Sequence, residues 1–544
     1  MRLQRLLLLV ASGFALPILA LACSSAPENP GDPCEPDGDP CPSGTSCLAN
    51  KDGDTVCLID AGGSCDKSAD DPLCAPSLVC DAGTGTDDKA VCRVPPGAKC
   101  DPTLDDPYCT GDNVCAEKAS GDYACFPPVY VEGRVFDAST DAGIEKAQVL
   151  GLDDQATAIT DVAISGADGA YKLNLPVARN DDGTPIEITF TLRSSAQDYL
   201  TFPSGLRTSL PIKTTGATTD DTGAYIIKLP LTDISLIPLA DADKGRPSIS
   251  GTVLADDQSG GVLVVAEAGT DPGITAISDK KGLYTIFNVP AGDYTVNGYA
   301  AGVSLKPASA KVADKPLTGV DLSASGDALG AISGNVQIVN APGGSLTSVV
   351  LVVESTFNDT FVRGEVPRGL RAPLSGPPSV SGAWSIKDVP PGKYVVLAGF
   401  ENDGLVRDPD PNIAGTQIVH IEMPSPGSNI DLADSFKITE ALAVISPGKD
   451  DPEGVSGTPT FKWADDSSED YYSIVVYDAY GSLVWENQMV PKVTGGDVSV
   501  TYAGPALEKG MYYQFRATSW RQSGGQPPGP ISQTEDLKGV FFAQ

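Results

Sequence analysis

The sequence predicts a mainly β protein, with disulfide-rich N-terminal repeats followed by tandem antiparallel β-sandwich domains. Three observations predict it. Gly 58 and Pro 45 make up about a fifth of the 544 residues, which breaks the chain into short runs and leaves little room for long helices. Of 13 cysteines, all but Cys23 fall between Cys34 and Cys125. From Val129 onward, short alternating or β-branched runs are separated by Gly, Pro and Asp turns, the texture of antiparallel sandwiches. A chain this long accommodates about three to five domains. Its charge excludes one class of partner: Lys+Arg 37 against Asp+Glu 71 gives a net −34, which repels phosphate backbones, so no nucleic acid is expected as a partner.

The N-terminus reads as an address. Met1 to Arg5 is a short basic head, and the apolar run Leu6 to Ala22 is interrupted by Gly13 and Pro17. Residues 1–22 have the layout of a cleaved export signal, not of a lasting membrane span. Leu19-Ala20-Leu21-Ala22-Cys23 resembles a bacterial lipobox, with Ala20 where leucine is commoner. The resemblance implies that the Cys23 thiol receives a diacylglyceryl group, that the signal is cut before it, and that the new amine is acylated. Lipidation also accounts for an odd cysteine in an exported chain. At about 0.8 kcal/mol per buried methylene, three acyl chains give a lasting membrane anchor. Ser24 is not aspartate, which by resemblance to enteric lipoproteins implies sorting to the outer membrane, on its periplasmic or cell-surface face. Residues 23–33 form a Pro-rich lipidated tether.

Residues 34–125 carry three four-cysteine sets: Cys34, Cys41, Cys47, Cys57; Cys65, Cys74, Cys80, Cys92; and Cys100, Cys109, Cys115, Cys125. Five residues separate the middle pair in every set, which marks an internal repeat. Modules this small cannot bury an adequate core, so cross-links substitute, two per module at about 2–4 kcal/mol each. Four cysteines allow three pairings, and the sequence leaves the pairing open. Zinc is disfavoured because ligand pairs two to four residues apart are missing. The loop Asn50-Lys51-Asp52-Gly53-Asp54 hints at calcium but lacks the glutamate an EF-hand places last, so it reads as a solvated turn. In spacing, the modules resemble the Cys-rich repeats that follow the lipobox in some bacterial surface lipoproteins.

Three later stretches open alike: Val131-Glu132-Gly133-Arg134-Val135, Ile249-Ser250-Gly251-Thr252-Val253 and Ile332-Ser333-Gly334-Asn335-Val336. Each then shows a turn and an aromatic strand, ending in Gly169-Ala170-Tyr171, Gly282-Leu283-Tyr284 and Gly382-Ala383-Trp384. The glycine permits a tight hairpin turn and the ring two residues on can cap a sandwich core. Two copies continue with Val289-Pro290-Ala291-Gly292-Asp293-Tyr294 and Val389-Pro390-Pro391-Gly392-Lys393-Tyr394, where a further hairpin is expected. Together these motifs resemble the carboxypeptidase regulatory-like domain, a transthyretin-like seven-stranded sandwich grouped with starch-binding-like folds. The resemblance implies such domains at 129–238 (divergent, with a long insert reaching Pro238), 246–327 and 329–440. It implies no peptidase activity. Residues 442–544, with Thr460 to Trp463, Tyr472 to Asp478, Gly510 to Ala517 and Gly539 to Phe542, resemble strands of a fibronectin type III domain. In that family the residue at Trp463 packs in the core.

Catalytic signals are sparse. The single histidine, His420, lies in an alternating strand without a Gly-x-Ser-x-Gly elbow. With 71 acids, any carboxylate pair is uninformative for glycoside hydrolysis. Gly-rich stretches lack the lysine of a phosphate loop. Trp384 and Trp463 occupy packing positions, which leaves Trp485 and Trp520 as possible glycan contacts. The sequence therefore points to a non-catalytic, membrane-anchored lipoprotein, a cell-envelope spacer and interaction or adhesion protein that needs no cofactor and no metal. Its expected partners are the membrane, through N-terminal acyl chains, and a protein or polysaccharide of the cell envelope. The alternative is a carbohydrate-binding protein, by fold-level analogy, with a glycan-active enzyme third.

Overall fold

The computed structural model describes residues 26–82, 90–104, 106–205, 207–338, 347–361, 363–376, 379–400, 418–432, 436–438, 441–466, 468–522, 527–534 and 538–544. The export signal 1–22, Cys23 and Ser24 lie outside the described residues. The chain divides into two compact units, one ending at Pro127 and one beginning at Pro128. Among the described residues the only helices are three-residue 3-10 turns, and the rest of the regular structure is β.

The first unit holds three hairpins: Thr45–Ala49 with Thr55–Ile59, Val79–Ala82 with Ala90–Arg93, and Val114–Glu117 with Tyr123–Phe126. In each, the third and fourth cysteines face one another across the ladder: Cys47 with Cys57, Cys80 with Cys92, Cys115 with Cys125. They do not bond to each other. The first cysteine of every module bonds to the third and the second to the fourth, giving Cys34–Cys47, Cys41–Cys57, Cys65–Cys80, Cys74–Cys92, Cys100–Cys115 and Cys109–Cys125. Both hairpin strands are thereby pinned to the segment that precedes them.

A glycine three residues before each first cysteine completes the module. Gly31, Gly62 and Gly97 have φ of 91°, 84° and 80°, a backbone region that glycine enters without a Cβ penalty. Each donates its N–H to the carbonyl of the fourth cysteine, at 2.8, 2.9 and 2.7 Å. That cysteine's own N–H returns to the carbonyl of Asp32, Gly63 or Ala98. Successive modules are also stitched by backbone. Ile59 exchanges hydrogen bonds with Leu73 and Ala75, and Val94 repeats the pattern with Tyr108 and Thr110. Nearest-neighbour stitching of this kind is what a repeat array requires.

The second unit contains four β-sandwiches. In the first, the strand Val129–Asp137 pairs antiparallel with Ala170–Asn174 and parallel with Tyr225–Ile227 and then Ile234–Leu236. Gln148–Leu152 and Thr189–Ser195 centre the facing sheet. The second and third sandwiches repeat this topology. Ile249–Leu254 pairs with Leu283–Ile286 and, in parallel, with Leu322–Ser323; Gly330–Ile338 pairs with Ala383–Val389 and, in parallel, with Asn429–Asp431 and Phe436–Ile438. Their facing sheets are built on Leu263–Glu267 with Gly292–Tyr299, and on Thr347–Val353 with Gly392–Phe400. In the fourth, Thr460–Ala464 lies between Val444–Ser446 and Asp497–Thr501. The opposing sheet runs Glu453–Val455, Val540–Ala543, Tyr512–Arg521, Tyr471–Asp478, Leu483–Pro491.

Period-two burial explains the strands. Val129, Val131 and Val135 are fully buried while Arg134 between them is exposed. Thr347–Val353 departs from the alternation because it is buried along its whole length. Val349, Leu351 and Val353 enter the sandwich core, whereas Val350 and Val352 pack with Val395 and Leu397 on the other face. The third core also takes in Leu263, Val265 and Tyr299 from the second sandwich, so the two share one apolar cluster.

The repeated glycines and aromatics meet across the ladder: Gly133 opposite Tyr171, Gly251 opposite Tyr284, Gly334 opposite Trp384. A Cβ at Gly133 or Gly251 would collide with the carbonyl of Thr232 or Val320, and one at Gly334 would meet the Trp384 ring. The Tyr171 hydroxyl donates to that Thr232 carbonyl at 2.7 Å, and Tyr284 donates to Val320 in the same way. In the first two sandwiches the tyrosine hydroxyl thus holds the segment that leads into the closing strand against the strand beside the opening one.

The Val-Pro-x-Gly-x-Tyr segments are not hairpins as expected. Leu283–Ile286 and Gly292–Tyr299 lie in different sheets, as do Ala383–Val389 and Gly392–Phe400. The segment is a corner that carries the chain across the core. Proline lacks the N–H that a ladder would need, and the Tyr294 and Tyr394 hydroxyls close the bend by donating to the Pro290 and Pro390 carbonyls at 3.0 and 2.9 Å. The turns before the aromatic strands likewise join strands of different sheets, and Gly382 lacks the positive φ seen at Gly169 and Gly282.

Candidate functional site

The residues singled out from sequence are dispersed. Cys23 lies outside the described residues, and the other twelve cysteines are in bridges. The Asn50 side-chain oxygen accepts from the N–H groups of Asp52 and Asp54, which makes this loop a self-capped turn. His420 is exposed, its Nδ1 2.8 Å from Glu354 Oε1. Trp384 and Trp463 are core residues. Trp485 is half-buried against Phe461 and Tyr502, with centroids 6.2 and 5.3 Å away. Trp520 lies parallel to Tyr471 at 6.2 Å and donates its indole N–H to Ser473 at 2.8 Å. These side chains do not converge on one another.

Among the described residues, three concave sites lie where sandwiches meet. A cleft of about 380 Å³ runs between Ala138, Pro238 and Asp241 of the first sandwich and Tyr480, Glu508 and Met511 of the fourth. An open cleft of about 780 Å³ separates the first and second, flanked by Asp161, Asp279, Lys281 and Asp321. A third cavity, also about 380 Å³, is lined from all four: Arg207 from the first, Thr275 from the second, Arg363 and Glu365 from the third, Tyr480 from the fourth.

Glu365 and Thr275 of this lining belong to a polar cluster drawn from three sandwiches. Arg193, on the strand Thr189–Ser195, forms a two-pronged contact with Glu365, Nη2 to Oε1 at 2.8 Å and Nη1 to Oε2 at 3.2 Å. Thr275 donates to the same Glu365 oxygen at 3.1 Å and accepts from Arg193 Nη2 at 3.1 Å. The ion pair joins the first and third sandwiches, and the Thr275 hydroxyl ties in the second. The Arg193 side chain keeps 7% of its surface and that of Glu365 keeps 27%. Burial pushes the Glu365 carboxyl up, but Arg193, Thr275 and Arg363 outweigh it and hold the carboxyl below its ordinary value. Arg363 also donates to the Gly205 carbonyl at 2.6 Å.

Sequence reasoning missed this cluster. Two signals were present: Arg193 is the single charge in the strand Thr189–Ser195, and Arg363, Arg368 and Arg371 crowd into nine residues of an acidic chain. Neither reveals that residues 193 and 365 meet.

Disulfide-stapled repeats and antiparallel sandwiches define the class of the molecule. No family model matches the chain and no curated protein matches it. Matching solved structures include the Bacillus anthracis TIE protein, at 10% identity over 73% of this chain and 67% of that one, with a TM-score of 0.13. BcpA, the major pilin subunit of Bacillus cereus, matches at 8% identity over 58% of this chain and 100% of its own, TM-score 0.15. GBS52, the minor pilin of Streptococcus agalactiae, matches at 12% over 37% of this chain and 100% of its own, TM-score 0.16. At these values none of them bears on what the chain does.

Proposed function

We propose that this chain is a non-catalytic lipoprotein of the cell envelope, anchored through acyl groups on Cys23, in which the stapled repeats act as a spacer and the sandwiches as an interaction or adhesion surface. The observation that carries the proposal is the cysteine account. Twelve of the 13 cysteines close on one another in one repeated pattern, and the thirteenth is Cys23 at the end of the lipobox-like run. Persistent bridges belong to an oxidising compartment, which agrees with export. Among the described residues no helix is long and apolar enough to cross a membrane. The first three sandwiches, with their shared glycine–aromatic pairs, are proposed as carboxypeptidase regulatory-like domains and the fourth as fibronectin type III-like. Outer-membrane residence follows from Ser24 in the same proposal. Metabolic labelling with a fatty acid tests the anchor: the native chain takes up label and sediments with membranes, and Cys23→Ser does neither. Retention of label by Cys23→Ser overturns it.

A glycan-binding reading has one observation in its favour, the half-buried, parallel Tyr471 and Trp520 rings, a pair of faces on which a sugar can stack. A glycan array with the mature chain tests it, and no enrichment on any polysaccharide removes it.

A further inference from the structure

Neighbouring modules of the disulfide-rich unit are joined without a covalent cross-link. Every bridge closes within its own four-cysteine set, so none spans the joints between Cys57 and Cys65 or between Cys92 and Cys100. Each joint is made by backbone and one side chain. The residue two past a fourth cysteine donates its N–H to the carbonyl just before the next module's second cysteine, Ile59 to Leu73 at 2.8 Å and Val94 to Tyr108 at 2.7 Å. Its own carbonyl accepts from the residue just after that cysteine, Ala75 at 2.8 Å and Thr110 at 2.9 Å. The side chain before the cysteine covers the bracket glycine upstream: a Cβ on Gly31 would meet Leu73, and one on Gly62 would collide with the Tyr108 ring.

The two outward ends of the array cannot make this joint. Aligned on the cysteines, Pro42 stands where Ala75 and Thr110 donate, and Pro127 stands where Ile59 and Val94 donate. Proline has no N–H to give. Pro40 replaces the covering side chains of Leu73 and Tyr108, and among the described residues nothing lies within 4 Å of a Cβ built on Gly97, the bracket that a fourth module would cover. The inward counterparts, Ile59, Leu73, Ala75, Val94, Tyr108 and Thr110, include no proline. Ile59, Ala75 and Val94 are buried, so a missing donor at a joint leaves a carbonyl without its partner out of reach of water. Repeat arrays end on modules whose outer face differs from the inner ones, and proline serves that purpose at exposed strand edges.

We propose that Pro42 and Pro127 are end caps that close the array at three modules, and that the joint between modules is transferable, so the number of internal modules sets the length of this segment. The inference deepens the spacer reading by naming what fixes the spacer's length. It concerns residues 26–127 alone, so failure of the Cys23 anchor leaves it untouched.

Two lengthened chains test it. In both, residues 95–127 are duplicated in tandem within the mature protein. The second also carries Pro127→Val in the upstream copy, which recreates at the new joint the run Val94-Pro95-Pro96-Gly97. Both chains are expected to close two bridges beyond the native six, counted by thiol titration and intact mass. Because no bridge crosses a joint, cleavage there separates the fragments on a non-reducing gel. A broad-specificity protease should cut the new joint about tenfold faster with proline than with valine, the factor that one net backbone hydrogen bond supplies. Thr110→Pro at native length brings the Pro42 end into an internal joint, and should open residues 93–99 to cleavage by a similar factor. Equal cleavage of the two lengthened chains overturns the proposal, as does failure of the Pro127→Val chain to close its added bridges, or a Thr110→Pro joint as resistant as the native one.

Discussion

The two units of this chain reach order by opposite means. Between residues 26 and 127 apolar burial is thin. The cluster around Val56, Leu58 and Ala75 has three buried members, and six bridges with backbone brackets at Gly31, Gly62 and Gly97 supply the remaining constraint. From residue 128 onward, each of the four main clusters gathers 17 or more buried side chains, with no disulfide among the described residues. The contrast is one of size. A module of some thirty residues cannot remove enough apolar surface from water to offset the ordering of its backbone, so it restricts the unfolded chain instead. A sandwich of a hundred residues can.

Reduction should separate the two units most strongly. Each bridge is worth about 2–4 kcal/mol, so dithiothreitol without denaturant should unfold the proximal unit. All four tryptophans, Trp384, Trp463, Trp485 and Trp520, lie in the second unit, so their fluorescence reports on it alone. Proteolytic cleavage confined to residues before 128, with unchanged tryptophan emission, is the expected result. Simultaneous loss of both would break the comparison.

Core truncation should do the converse. Trp463→Ala removes a fully buried ring packed on Tyr472 and Phe515, at a cost of about 3–5 kcal/mol. The fourth sandwich should melt earlier in a calorimetric scan while the six bridges stay closed by thiol titration.

The Arg193–Glu365 pair sharpens the contrast, because here polar rather than covalent links hold modules together. Arg193→Met leaves a desolvated carboxylate and should cost about 3–5 kcal/mol, most of it recovered in Arg193→Met/Glu365→Leu. Glu365 also carries a pH signature. Its carboxyl lies below the ordinary 4.5 when folded, so on acidification the unfolded chain takes up this proton first. The stability it contributes is complete above pH 4.5 and drains as pH falls through the folded value. Glu365→Gln should flatten that part of a urea-denaturation profile. Asp279 and Glu469, raised chiefly by burial, run the other way: their contribution is present in acid and lost as pH rises. The single variant isolates the Glu365 component. The smallest effect belongs to Tyr284→Phe, which deletes the hydroxyl bond to Val320 and should cost about 1 kcal/mol.

The legible features were those written in local spacing. Cysteine intervals announced the modules, and the Gly133, Gly251 and Gly334 patterns, with aromatics downstream, announced the sandwich strands that pair them. Disulfide connectivity was illegible because three pairings satisfy the same intervals. The repeated Gly31, Gly62 and Gly97 could have extended the module upstream, since each stands three residues before a first cysteine. The Val-Pro-x-Gly-x-Tyr corners misled because a proline–glycine turn flanked by strands looks alike whether the strands share a sheet or face each other across a core. The junction was invisible for a simpler reason: Arg193 and Glu365 are separated by 172 positions, and nothing in either neighbourhood refers to the other.

In the first three sandwiches the opening strand is paired in parallel with the closing one: Val129–Asp137 with Ile234–Leu236, Ile249–Leu254 with Leu322–Ser323, and Gly330–Ile338 with Phe436–Ile438. Tension applied along the polypeptide pulls the start of the first strand one way and the end of the last strand the other. The ladder between them is then loaded in shear, all its bonds at once, instead of being peeled open one by one. Domains wired in this way resist stretching far better than their marginal equilibrium stability would suggest, and single-molecule pulling should register three such mechanical clamps in series.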